Sequence, residues 1–288
     1  MRLKITTALV VALALVATAC GGDDDGAGGG GSCAIEDLEL VTAGTLTVAT
    51  GEPAFPPWVG TTDGENFDVP ESKTGFESAV AYEIATRLGF GDDQVTWVRT
   101  GFDEAIAPGP KDFDFNVQQY SITDERDEVV DFSEPYYVTQ QALVTFADSS
   151  LVGATTLADL KGAKLGAQIG TTSLDFIEDV IKPDAEASVY DTNADAKSAM
   201  EAGQLDGIVV DLPTAFFITA VEIEGSVVAA AFSAEAAAPD EFGLLFAEGS
   251  TLRDCVDSVI EEMREDGTLA SLEEQWLTQG SGVTVISE

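Results

Sequence analysis

The chain has 288 residues, enough for one large or two modest domains, and its 45% hydrophobic and 8% aromatic content is that of a globular protein. Thirteen lysines and arginines stand against 52 aspartates and glutamates, a formal charge of −39 that repels nucleic acid and anionic lipid and excludes both as partners. With no histidine and no cysteine cluster at ligand spacing, neither a metal nor another cofactor is expected.

Residues 1–19 carry Arg2 and Lys4, an apolar run over 8–16, and Ala17-Thr18-Ala19 before Cys20. These are the three parts of an export signal, too short to remain as a membrane span. Cys20, directly after small residues, resembles a lipoprotein cleavage site, although Ala17 stands where leucine is usual. Cys20 would then be the lipidated N-terminus; the alternative is ordinary secretion with a free thiol. Residues 21–32, Gly- and Asp-rich, cannot pack and read as a flexible tether with a span of roughly 20 Å. With Cys20 assigned to lipid, Cys33 and Cys255 remain, either as a disulfide pinning the N-terminal arm to a late helix or as two buried thiols.

Along the globule, short apolar runs alternate with helical patterns, which predicts α/β layers with mostly parallel sheets. Strands are expected over 46–49 and 95–98, with a helix over 77–88 whose Val80, Ile84 and Leu88 share a stripe. A helix opens at Phe102 and ends before Pro108. Phe113, Phe115 and Val117 alternate as a strand that ends in Gln118-Gln119, and a further strand covers 141–146. A second unit begins near Leu157, with strands over 164–168, 187–190 and 207–210 and helices over 172–181 and 195–202. A strand over 242–246 and helices over 252–276, broken near Gly267, complete the pattern.

The stretch Ser121-Ile122-Thr123-Asp124-Glu125-Arg126 carries the chemistry. Thr123 is a helix N-cap, Asp124 and Glu125 suit the positive first turn, and Arg126 can reach back over the strand end. Free N–H groups, hydroxyls and a fixed cation are the equipment for holding one carboxylate. The alternative is a capped surface helix whose arginine meets Glu125 or solvent. Continued through Val130-Asp131-Phe132-Ser133-Glu134-Pro135-Tyr136-Tyr137, the stretch resembles the central motif of the family 3 extracellular solute-binding proteins, the amino-acid receptors of bacterial ABC importers. Thr47-Val48-Ala49-Thr50 with Phe55-Pro56-Pro57-Trp58, Gly75-Phe76-Glu77, Gly170-Thr171-Thr172-Ser173 and Asp206 to Asp211 resemble other family segments in the same order, over roughly residues 45–278.

The resemblance implies the type II periplasmic-binding-protein fold: two α/β lobes joined by two hinge strands, with the ligand cleft between them. Residues 41–140 and 239–288 would form one lobe and 141–238 the other, after the signal (1–19) and the lipidated tether (20–40). Crossings are expected near 138–146 and 239–246. It further implies that Arg126 grips the ligand carboxylate beside Ser121, Thr171 and Thr172, that the Gln119 carbonyl and Asp211 meet the ammonium, and that Glu52, Phe55, Phe102, Gln118 and Gln168 shape the side-chain end. Asp211 otherwise reads as a turn cap before Pro213, and Glu52 as a solvated loop acid. No second arginine or lysine stands out to meet a side-chain carboxylate, so polar or cationic amino acids are favoured. The expected protein is a monomeric, non-enzymatic receptor, lipid-anchored on the outer face of the cell membrane and delivering its ligand to a permease. Two other readings are a dehydratase-like enzyme on the same fold and a ligand-sensing component of a signalling system. The first lacks a histidine for general acid work; the second usually continues into a membrane span.

Overall fold

In the computed structural model, residues 32–62, 64–277 and 283–288 are described. The export signal, Cys20 and nearly all of the tether therefore lie outside the described residues. The strands run β1 (Leu46–Thr50), β2 (Val95–Arg99), β3 (Phe115–Asn116), β4 (Asp131–Phe132), β5 (Tyr137–Thr139), β6 (Gln141–Phe146), β7 (Leu165–Gln168), β8 (Ser188–Tyr190), β9 (Gly207–Asp211), β10 (Ser226–Phe232), β11 (Asp240–Phe242), β12 (Leu245–Phe246) and β13 (Val285–Ile286). The α-helices are α1 (Phe76–Arg87), α2 (Phe102–Ile106), α3 (Asp124–Asp127), α4 (Thr172–Asp175), α5 (Asn193–Glu201), α6 (Leu212–Phe217), α7 (Leu252–Glu265) and α8 (Thr268–Trp276). α4 and α6 continue as π-helical turns, Phe176–Ile181 and Ile218–Glu222.

One sheet has the order β2-β1-β3-β12-β4 and belongs to the first lobe; the other, β13-β10-β6-β9-β7-β8, belongs to the second. Both are mixed rather than mostly parallel. β12 runs antiparallel to β3 and β4, and β6 runs antiparallel to β9 and β10. The reason is topological: strands that enter a sheet from a crossing arrive against the direction set by its βαβ units. The crossings themselves are β5 and β11, which pair antiparallel as a separate two-stranded ribbon, Tyr137 opposite Phe242 and Thr139 opposite Asp240.

In the first lobe the helix stripe of Val80, Ile84 and Leu88 packs with Val256, Ile260 and Met263 of α7 around Phe115, Phe246 and the buried Trp58. The second-lobe sheet is covered on both faces, as period-2 alternation requires. Leu143 and Val209 point into one cluster, while Ala142, Val144, Ile208 and Val210 point into another. Gly267 separates α7 from α8 with φ 82°, a left-handed turn that a residue with a Cβ enters only at a cost.

The chain end departs from the expected lobe assignment. The resemblance puts residues 239–288 together in the first lobe, but β13 pairs in parallel with β10 and buries Ile286, and the Glu288 carbonyl accepts the Leu157 N–H at 2.9 Å. The last residues therefore complete the second sheet, covering an edge that β10 would otherwise leave unpaired.

Cys33 and Cys255 form a disulfide with 5.7 Å between their α-carbons, tying the N-terminal arm to α7 across a sequence separation of 222 residues. A loop of that length restricts the unfolded chain strongly, worth on the order of 2–5 kcal/mol. The double variant Cys33→Ser/Cys255→Ser is expected to lose stability in that range in urea unfolding with its secondary structure intact. A midpoint equal to wild type would show that the bond contributes nothing.

Candidate functional site

A cavity of about 470 Å³ lies between the lobes, and Glu52, Phe55, Phe102, Gln118, Gln119, Ser121, Arg126, Gln168, Thr171, Thr172 and Asp211 all line it. Side chains of the two lobes touch around it. Trp58 Nε1 donates to Thr214 Oγ1 at 2.9 Å, Ser121 Oγ lies 3.1 Å from Thr172 Oγ1, and the Phe217 ring stacks on Phe55 at 6.1 Å. The cleft is closed.

Arg126 is the strongest local feature. Thr123 caps α3 by accepting the Arg126 N–H, which places the side chain one turn in. The guanidinium is buried, donating to the Ser121 carbonyl at 2.5 Å and, across the cleft, to the Gly170 carbonyl at 2.8 Å. It lies 5.5 Å from the centre of the Phe102 ring, itself stacked on Tyr120. Among the described residues no carboxylate comes within 4.0 Å of it. Burial pulls its pKa down, opposed by the more distant Asp175 and Asp240. A guanidinium so placed, with N–H donors to spare, is the complement of a carboxylate.

Opposite charge is supplied by Asp211 at the end of β9. It caps α6, Oδ1 accepting the Thr214 N–H at 2.9 Å, while the residue also lines the cavity. The turn-capping and ligand-facing readings thus coexist, because a carboxylate has acceptor capacity for both. Burial pushes its pKa up to about 6 against the pull of the Thr214 bond. Thr171 likewise caps α4 through Leu174 N–H and donates to the Gln168 carbonyl at 2.7 Å. Gln168 Oε1 accepts Asn193 N–H at 3.0 Å, fixing the start of α5 to the end of β7.

The loop bearing Glu52 and Phe55 is held by Arg99, which donates to the Gly51 carbonyl at 2.7 Å and pairs with Asp68 at 2.6 Å. Glu52 is exposed at the edge of the cavity.

Sequence reasoning missed two groups. Glu77, seen only as a helix-start residue, is fully buried behind the cavity wall. Its carboxylate accepts the Gln119 N–H at 2.8 Å, the Gln119 side-chain amide, and the Tyr136 hydroxyl at 2.5 Å. It thereby holds Gln119 in a left-handed conformation, φ 50°, that a non-glycine residue adopts only when its surroundings impose it. The second group is charged: Asp103, Glu104, Asp191, Lys197 and Glu222 also line the cavity. Lys197 is a second cation in the lining that the sequence did not single out, and it is paired with Glu222 at 2.5 Å. The signal for Glu222 was available, since Thr214, Ile218 and Glu222 follow at helical spacing.

Residues 46–279 match the family of bacterial extracellular solute-binding proteins, family 3. The chain belongs to that family. The L-cystine-binding protein TcyJ of Escherichia coli is 30% identical over 245 residues, covering 84% of this chain and 85% of that protein. An amino acid ABC transporter substrate-binding protein from Streptococcus pneumoniae bound to L-arginine superposes with a TM-score of 0.67 at 27% identity, covering 82% of this chain and 96% of that one. The ancestral amino acid-binding protein AncCDT-1, a precursor of cyclohexadienyl dehydratase, gives a TM-score of 0.64 at 28% identity, with 82% and 96% covered. These neighbours share the two-lobe architecture of this solute-binding protein.

Burial in this solute-binding protein lifts the Glu77 pKa from 4.5 to about 7, the Tyr136 and Gln119 hydrogen bonds opposing the shift. Between those values the folded protein holds a proton that the unfolded chain releases, so stability falls as pH rises from about 4.5 to about 7, by roughly 3 kcal/mol. Asp211, raised from 3.8 to about 6, acts in the same direction at lower pH. Urea unfolding at pH 5 and pH 8 should show wild type losing stability with pH and Glu77→Gln losing markedly less. Equal losses in both proteins would place the Glu77 titration at its ordinary value.

Proposed function

We propose that this protein is the extracytoplasmic receptor of an amino-acid ABC importer, closing on a free amino acid and delivering it to a membrane permease. The observation that carries the reading is Arg126: a buried cation in the wall of the interlobe cavity, held by one carbonyl from each lobe, with Asp211 in the same wall. A free amino acid presents both opposite charges on one carbon. In a closed cleft each needs a partner, because a buried unpaired charge is costly. Arg126, with Ser121, Thr171 and Thr172 around it, takes the carboxylate. Asp211 and the Gln119 carbonyl, set by Glu77, take the ammonium. Phe55 and Phe102 wall the side chain, and Glu52, Gln118 and Gln168 stand toward its tip.

The relatives' ligands, L-cystine and L-arginine, are of the polar or cationic kind. Acidic groups in the lining favour such side chains over those of aspartate and glutamate, which would meet like charge in a site of low dielectric. The protein is a binding protein rather than an enzyme, in keeping with relatives that serve transporters. Cys20 carries the lipid that holds this monomeric receptor at the outer face of the membrane, and the tether to residue 32 leaves the globule free to meet its permease.

Ligand affinity rests first on Arg126. Arg126→Ala should weaken binding of every amino acid by about 2–5 kcal/mol in calorimetry; affinities within a few-fold of wild type would remove the central claim. Asp211→Asn should weaken amino acids more than their deaminated analogues, whereas equal loss for both classes would assign Asp211 to helix capping alone.

A further inference from the structure

Glu77 is a buried acid that meets donors but no cation. Its carboxylate accepts the Gln119 N–H at 2.8 Å, the Gln119 side-chain amide and the Tyr136 hydroxyl. Among the described residues no lysine or arginine comes within 4.0 Å of it. An O–H on this group would need an acceptor, and a backbone N–H offers none. Protonation therefore requires the Gln119 amide or the Tyr136 hydroxyl to turn over. The closed cleft carries the hydrogen bonds of an ionised Glu77.

Its surroundings favour the opposite form. The side chain is fully buried, and the charge of Asp211 adds to the burial penalty, so that the pKa rises to about 7. Tyr136 and Tyr120, the further titratable groups near it, are pushed well above the usual phenol range by burial and stay neutral. The conflict is settled from the cavity side. Gln119, which Glu77 holds, lines the cavity, and so does Asp211. A positive charge placed beside Asp211 offsets the repulsion that Asp211 exerts on Glu77. We propose that Glu77 is a positioning residue that gives up a proton when the ligand binds. The free receptor holds the proton, and an amino acid whose ammonium sits by Asp211 drives it off. The O–H bond breaks with its electron pair left on the carboxylate, and the proton passes to the buffer. The carboxylate then takes its three donors and fixes Gln119 at φ 50° in the cavity wall. This rests on the amino-acid reading above and adds a proton to its binding reaction. By linkage, ligand affinity rises with pH where the free receptor's Glu77 titrates.

The probe is whichever of the standard amino acids and L-cystine binds the full chain most tightly. Calorimetry at pH 7 in two buffers of different ionisation enthalpy reads the protons released. About half a proton per ligand is expected from a group half protonated at that pH. Affinity should rise about ten-fold from pH 6 to pH 8. Glu77→Gln, which cannot titrate, should release only the small remainder that Asp211 contributes, with affinity changing less than about three-fold over that range. Tyr136→Phe removes one donor and keeps the acid, so it should move the rise to higher pH; this shift carries the test if the glutamine variant folds poorly. A merely structural Glu77 would leave the pH profile of both variants like that of wild type. Wild type that releases no proton and binds equally at both pH values overturns the proposal, as does equal release from Glu77→Gln. The amino-acid reading survives either result; it fails separately if none of the probes binds.

Discussion

A single buried guanidinium organises this molecule. Arg126 donates to the Ser121 carbonyl of the first lobe and the Gly170 carbonyl of the second, so the group proposed to hold the ligand carboxylate also spans the cleft. Two carbonyls only partly replace the solvation of a full charge. A carboxylate in the cavity completes that replacement, and it does so best when both lobes are in place. Ligand affinity and lobe closure are then one free energy, because a ligand shifts a conformational equilibrium only by its differential affinity for the two states.

Around Asp211 the same low-dielectric surroundings act on acids. Glu77 and Asp211 are both pushed up by burial, to about 7 and about 6, with Asp211 adding to the rise at Glu77 and Asp240 to the rise at Asp211. A positive ligand group beside Asp211 offsets part of that penalty. Glu77 acts one layer behind: its carboxylate holds the Gln119 N–H and amide, and the resulting left-handed backbone presents Gln119 to the cavity. The strain at Gln119 and the buried charge of Glu77 are thus costs of the same construction.

The frame that carries these groups is made of three kinds of connection. The ribbon of β5 and β11 joins the lobes, the disulfide fixes the N-terminal arm to α7, and β13 adds the chain end to the second sheet. Phe217, stacked on Phe55 and tilted against Phe67, and Trp58 on Thr214 add apolar and polar contacts across the cleft.

Much was legible before the fold was known, wherever the deciding physics was local. Short apolar runs marked β1, β6 and β9, the alternation of Phe113, Phe115 and Val117 marked β3, a helical stripe marked α1, and the cap at Thr123 placed Arg126 one turn into α3. The motif order identified the two-lobe fold and the residues that meet in the cleft, because a strand end followed by a capped helix is written in adjacent residues. What lay between distant segments was not legible. Glu77 reads as any acidic residue in a first helical turn until α1 brings it against Gln119 and Tyr136. Lys197 and Glu222 read as solvated charges until α5 and the end of α6 converge. β13 is too short to show a period, and its place beside β10 depends on pairing across more than fifty residues of chain. Local sequence determined the elements and their caps; tertiary packing alone decided which charges lose their water and which partners they then share.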